Sequence, residues 1–367
     1  MWRDLKVTRA ANSRLAEVDF DALGFGNVFS DHMFSMTCSD GEWGDPQILP
    51  YGNIEVAPGN ATLHYGQSVF EGLKAFIGSD NVARVFRPDM NARRLLSSCE
   101  RMCIPPLDEE TFCAAIDELV ALDHAWIPHK RGQALYVRPL IFSIENHLEV
   151  RPSTEFRFIV MTAPVRAYFD EGVGPIALKV EETYTRSAPG GIGAAKTAGN
   201  YAASLYPTQR GVQDGFVQMV WLDGIEHRYV EEVGAMNIFF RFKDTIVTPD
   251  LHGTILPGVT RDSVITLLRD AGHTVEERRV AIDEVVESVH NGELLEVFGA
   301  GTAAIIAPVG KFSYRNEVLT VQDNQAGEIT RWLYERLTDI QRGDTEDKYR
   351  WNRLIAIDEP SVTAVTS

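Results

Sequence analysis

The stretch EVGAMNIFFRFKDTIVTPDLHGTILPGVTR, residues 232–261, carries the reading of the fold. Within it NIFFRF (237–242) has the apolar, aromatic character of a strand, and GTILPGVTRDSV (253–264) is a turn on Pro257 and Gly258 leading into a helix that starts at Val259 or Thr260. A glycine-bearing turn at a helix start presents backbone N–H groups and a hydroxyl, a seat for a small dianion. LLEVFGAGTAA (294–304) has the same pattern: a strand, then Gly299 and Gly301, then an expected helix start. Thr260 and Thr302 hold equivalent places in the two turns, so one phosphate gripped by two helix starts and an arginine is an economical reading. Two ordinary connections with helix-capping threonines account for the turns equally well.

Outward from this stretch, strands and helices alternate. VARVFR (82–87), ALYVRPLIF (134–142) and FRFIVMTAPV (156–165) read as strands, as do IALKVEETY (176–184), FVQMVWLD (216–223) and ELLEVFGA (293–300). Residues 88–103 open on Pro88 and Asp89 and place Leu95, Leu96, Cys99, Met102 and Cys103 at helical spacing. Further helices are expected over 108–125, 260–270 and 325–341. A chain of 367 residues exceeds one compact core. The aperiodic AYFDEGVGP (167–175) separates a small N-terminal α/β domain (1–166) from a larger C-terminal domain (176–367) whose last residues, 356–367, read as a flexible tail.

Apolar residues at 44% and charged residues at 24% are the balance of a globular protein with a sizeable core. Thirty-five basic against 52 acidic side chains give a formal charge of −17, which repels nucleic-acid backbones and anionic lipid. Neither nucleic acid nor membrane is therefore an expected partner. Cys38, Cys99, Cys103 and Cys113 have neither zinc-knuckle nor CxxC spacing, so no metal site is expected. Reduced thiols, no secretory signal and no long apolar run point to the cytoplasm.

Three segments imitate nucleotide-binding loops, of which GTILPGVTRDSV (253–264) cannot be a nucleotide motif alone. GGIGAAKT (190–197) lacks the glycine that a P-loop needs before its lysine, because Ala195 stands there. VFGAGTAA comes too late in the chain to open a dinucleotide-binding unit. A P-loop or dinucleotide-binding protein is thus the reading from a different class.

At several separated places the chain resembles the class IV aminotransferases, in particular the branched-chain amino acid aminotransferases. The similarity covers HYGQSVFEGLKAF (64–76), FRPDMNARRL (86–95), LYVRP (135–139), AKTAGNYAASL (195–205), the whole of 232–261 and VFGAGTAA (297–304), from about residue 25 to 345. It implies a fold type IV enzyme dependent on pyridoxal 5'-phosphate: an α+β small domain, a larger β-barrel-like domain with flanking helices, and the cofactor at their interface. It also implies the reaction of branched-chain-amino-acid transaminase (EC 2.6.1.42), reversible amino transfer between leucine, isoleucine or valine and 2-oxoglutarate.

By the same resemblance Lys196 is the catalytic lysine that holds the cofactor covalently. A lysine amine with an ordinary pKa near ~10.4 must be held neutral by burial or neighbouring charge to do so. Read in isolation, Lys196 is a solvated loop lysine. Glu232 is implied to face the pyridine nitrogen, with its neighbour Glu231 expected as an exposed strand residue on the other face. Tyr201 is similar to the tyrosine that bonds the phenolic oxygen, and Arg94, rather than the solvated Arg93, to the phosphate-binding arginine. Arg186 is a second positive contact; Val259, Thr260 and Thr302 complete the phosphate cup. Tyr65, Phe70, Tyr136 and Arg138 match the substrate pocket, with Ala235 and Ala303 offering N–H groups to the α-carboxylate. Leu148 and Val150 look like residues that a neighbouring subunit contributes, which implies a homodimer. The CxxC pair that some members carry after the GTA turn is replaced by Ala304 and Ala307, so that redox switch is expected to be absent. D-amino-acid aminotransferases and aminodeoxychorismate lyases are the nearest alternatives in the same fold, and a cofactor-free binding protein is a further one.

Overall fold

A computed structural model describes residues 5–166 and 174–357. The expected interdomain loop (167–175) and the expected tail (356–367) lie largely outside the described residues. The chain forms two sheets flanked by helices.

The first sheet has nine strands and is almost wholly antiparallel. At its centre the long strands Ala134–Ser143 and Glu155–Val165 pair along ten residues, continued by His32–Ser39 on one side and Leu73–Ile77 on the other. Helices Pro88–Arg101 and Glu109–Leu122 supply Leu95, Phe112, Ile116 and Leu119 to its core. Pro88 stands in the first helical turn, where its missing N–H costs nothing. The Asp108 carboxylate caps the second helix by accepting the Thr111 N–H at 2.8 Å.

The second sheet closes on itself. Strands Tyr229–Val233, Met236–Phe242, Leu294–Gly301, Ile305–Tyr314, Ile176–Val180 and Gln218–Leu222 pair in that order, and the last returns to the first. Closure removes the free edges of the ring and encloses its inner face. Gly234, at φ 55°, makes the tight turn between Tyr229–Val233 and Met236–Phe242. A third apolar cluster joins the sheets. Phe76 and Phe86 of the first share it with the stacked pair Phe239 and Phe298 of the barrel, under helices Val259–Asp270 and Glu328–Arg342. The strand Asn352–Ile355 then crosses back and pairs with Ala83–Phe86 of the first sheet.

One expectation needs correcting. Only Thr260 stands in the first turn of a helix; Thr302 lies in a hairpin turn between Leu294–Gly301 and Ile305–Tyr314. The small residues that resemble a helix start there serve close strand pairing instead, since a Cβ at Gly299 would meet the Met236 side chain at 2.9 Å.

Candidate active site

Lys196 immediately precedes helix Ala198–Gln213, whose N-cap is Thr197. The Lys196 backbone is clamped from both sides: its N–H donates to Ser98 Oγ at 2.9 Å, and its carbonyl accepts the Phe70 N–H at 3.0 Å. Its amine donates to the Tyr201 hydroxyl at 2.8 Å and lies 5.0 Å from the centre of the Phe70 ring. Burial, reinforced by Arg94, pulls the amine down to about 8, against the opposing pull of Glu71. Burial also raises the Tyr201 phenol to about 12, with Glu232 adding to the effect.

The amine opens into a cavity of about 220 Å³. Phe70, Arg94, Tyr136 and Arg138 line it from the first sheet and its helix; Tyr201, Glu232, Ala235, Val259, Thr260, Thr302 and Ala303 line it from the barrel side. A second cavity, of about 380 Å³, adjoins it at Tyr201, Gln218, Glu232, Ala235 and Leu256. Lys196 borders only the smaller one.

Glu232 is buried, and burial pushes its carboxyl up to about 7 despite the nearby Arg186. Its Oε2 touches the Arg186 guanidinium as an ion pair but has no hydrogen-bond partner. Arg186 is thus placed against Glu232, in the second cavity, and not beside Thr260 and Thr302. A buried carboxylate demands such a partner. Asn237 Nδ2 holds the turn below by donating to Leu256 O at 3.0 Å.

Arg94 is 8% exposed, whereas Arg93 is solvated and paired with Glu109. The Arg94 fork grips Glu71 through two parallel bonds, Nε to Oε1 at 2.8 Å and Nη2 to Oε2 at 2.7 Å, while Nη1 donates to Pro257 O at 3.1 Å. Burial alone would raise the Glu71 carboxyl; Arg94 and Asn91 more than offset that and hold it below its ordinary value. This buried pair ties helix Pro88–Arg101 to the LPG turn in front of Thr260.

The wall formed by Phe70, Tyr136 and Arg138 is aromatic and cationic. Arg138 stacks over Phe70 and Tyr136, with its carbon centre 4.9 and 5.2 Å from the ring centroids, and Nη2 donates to the Tyr136 hydroxyl at 3.0 Å. Its buried Nε has no partner. The expected pocket residue Tyr65 does not line the cavity. It is 43% exposed and donates to Leu148 O at 2.5 Å, beside the exposed Leu148 and Val150. Those two also lie outside the cavity.

Sequence reasoning missed Phe25, which lines the cavity and meets Tyr136 edge-on at 5.1 Å, and Glu71. It also misplaced Glu231. That residue is buried rather than exposed, accepts the Thr254 hydroxyl and lies 3.5 Å from His252. The segment that carries His252 and Thr254 covers this side chain. Among the described residues no cluster of His, Cys, Asp or Glu could hold a metal ion, and no helix is long and apolar enough to cross a membrane.

Residues 68–312 match the family model for amino-transferase class IV. The chain is 46% identical to branched-chain-amino-acid aminotransferase 2 of Bacillus subtilis, over 92% of this chain and 93% of that one. It is likewise 46% identical to the branched-chain-amino-acid aminotransferase of Mycolicibacterium smegmatis, over 89% and 91%. Among solved structures, the Escherichia coli branched-chain amino acid aminotransferase superposes with a TM-score of 0.75 at 26% identity, covering 89% of this chain and 99% of that one. The chain belongs to the class IV aminotransferases and, among them, to the branched-chain-amino-acid aminotransferases.

Proposed function

We propose that this chain catalyses reversible amino transfer between leucine, isoleucine or valine and 2-oxoglutarate, with pyridoxal 5'-phosphate held covalently by Lys196. The observation that carries the reading is the Lys196 amine, lowered to about 8 and bonded to Tyr201 at the mouth of a cavity lined by the buried Glu232, whose Oε2 is ion-paired with Arg186 but accepts no hydrogen bond. The donor set fits the cofactor. A protonated ring nitrogen would satisfy Glu232 Oε2, and the Thr260 helix start, the Thr302 turn and Arg94 fit a phosphate. A further branched-chain amino acid aminotransferase of this fold, at 25% identity and a TM-score of 0.72, was solved with pyridoxamine 5'-phosphate.

When bound, the cofactor supplies the electron sink for loss of the substrate α-proton. Lys196 would hold it, and its amine is placed to take up and return that proton. Tyr201 would donate to the phenolic oxygen, and Glu232, with Arg186 behind it, would keep the ring nitrogen protonated. The N–H groups of Ala235 and Ala303 hold the α-carboxylate. Phe25, Phe70 and Tyr136 wall the branched side chain away from water, and the unpaired Nε of Arg138 receives the second carboxylate of glutamate. The small domain before residue 167 and the large one after 175 meet at this cavity. The exposed cluster of Leu63, Tyr65, Leu148 and Val150 supports a homodimer in which one copy completes the pocket of the other.

The purified protein should be yellow. Glutamate should bleach the visible band and 4-methyl-2-oxopentanoate should restore it; a band that glutamate leaves unchanged refutes the reading.

A further inference from the structure

Lys74, on the strand Leu73–Ile77, stands directly across the ladder from Tyr136. The side chain is 5% exposed. It makes one hydrogen bond, from Nζ to Ala303 O at 2.8 Å, and among the described residues no carboxylate lies within ion-pair distance of it. An ammonium has three donors and tolerates burial only when its charge is answered. Burial alone pulls this amine down to about 7.

The surroundings indicate what answers the charge. Lys74 borders a small cavity of about 20 Å³, large enough for about one water. Asn91, Gln341, Thr260 and Thr302 line it too, and Gln341 Oε1 is buried without a partner. Val259, Thr260 and Thr302 also line the cavity in front of Lys196, so Lys74 sits behind the seat read above as the phosphate cup. The charged and titratable groups on the elements packed against it offer no counter-ion. Tyr136 is a phenol, Arg84 is bound by Asp80, Arg94 by Glu71, and Arg342 by Asp344.

We propose that Lys74 is the buried counter-cation of the phosphate seat, so that an anion between Thr260 and Thr302 charges its amine and binding takes up a proton through this residue. The inference rests on the phosphate reading of the seat. Its sign follows from linkage: a bound dianion favours the ammonium and raises its pKa, so anion affinity falls as pH rises above about 7, where the amine of the empty protein loses its proton.

The test uses full-length protein freed of cofactor and inorganic sulfate as the probe, because sulfate stays divalent through the range. Calorimetry at pH 7.5 in buffers of different ionisation heat counts the protons taken up. Three proteins are compared: the parent, Lys74→Arg and Lys74→Met. Lys196 contributes equally to all three, so the differences report on residue 74. The parent should take up more protons than either variant. Lys74→Arg should keep its affinity with that uptake lost, and Lys74→Met should bind about tenfold more weakly. Equal uptake by the parent and Lys74→Arg overturns the role of Lys74 while leaving the seat intact. Failure of sulfate to bind any of the three overturns the seat as well.

Discussion

Lys196 Nζ and the Tyr201 hydroxyl lie 2.8 Å apart, five residues apart in sequence and on either side of a helix start. The amine donates, so the phenol oxygen is already occupied on the lysine side before any ligand enters. A hydrogen bond to a charged or ionisable group contributes about 1.5–3 kcal/mol. Tyr201→Phe should therefore keep the fold and lower kcat/KM roughly tenfold to a hundredfold. Steady-state kinetics with leucine and 2-oxoglutarate provides the check.

Glu232 is poised by burial at about 7 and backed by Arg186. A neutral amide cannot hold a proton on a ring nitrogen, so Glu232→Gln should reduce kcat about a hundredfold or more with little change in KM. Glu232→Asp, which keeps the charge at a shorter reach, should recover part of the loss. An unaltered kcat in Glu232→Gln contradicts the assignment.

Gly72 is required by a close approach. A Cβ built there would lie 2.1 Å from the Tyr136 hydroxyl, the same hydroxyl that accepts from Arg138. Gly72→Ala should push Tyr136 into the cavity and raise KM for leucine about tenfold, an effect of ~1.4 kcal/mol. The circular dichroism spectrum should be unchanged.

Much of this site was legible in sequence because its parts are local. The NIFFRF strand and the LPGVTR turn into a helix are short-range patterns, and both formed as expected. What escaped was non-local. Phe25 reaches the cavity from a segment far from any motif, and the Arg94–Glu71 pair joins residues 23 positions apart across a sheet and a helix. Strand alternation assigns Glu231 an outer face, and the distant segment that carries His252 and Thr254 covers that face. Thr302 was read as a helix start because a small-residue run suits a tight hairpin as well as a first turn.

The partly buried Lys196 has a folded-state pKa depressed from 10.5 to about 8. A depressed lysine contributes stability that is present above its unfolded pKa and lost as pH falls from 10.5 towards 8. At pH 7 the cofactor-free protein therefore carries an unfavourable ammonium, and Lys196→Met should stabilise it by on the order of 2 kcal/mol, and by roughly half that at pH 9.5. Urea unfolding of both proteins at the two pH values tests this, and a variant less stable than the parent at pH 7 contradicts it.

In the proposed reading one particular amine, that of Lys196, carries the cofactor. Reduction of the yellow protein with borohydride fixes the cofactor to whichever lysine holds it, and peptide mass spectrometry then locates the label. A single pyridoxyl-modified peptide containing Lys196 is expected. Label on any other lysine, or none at all, contradicts it.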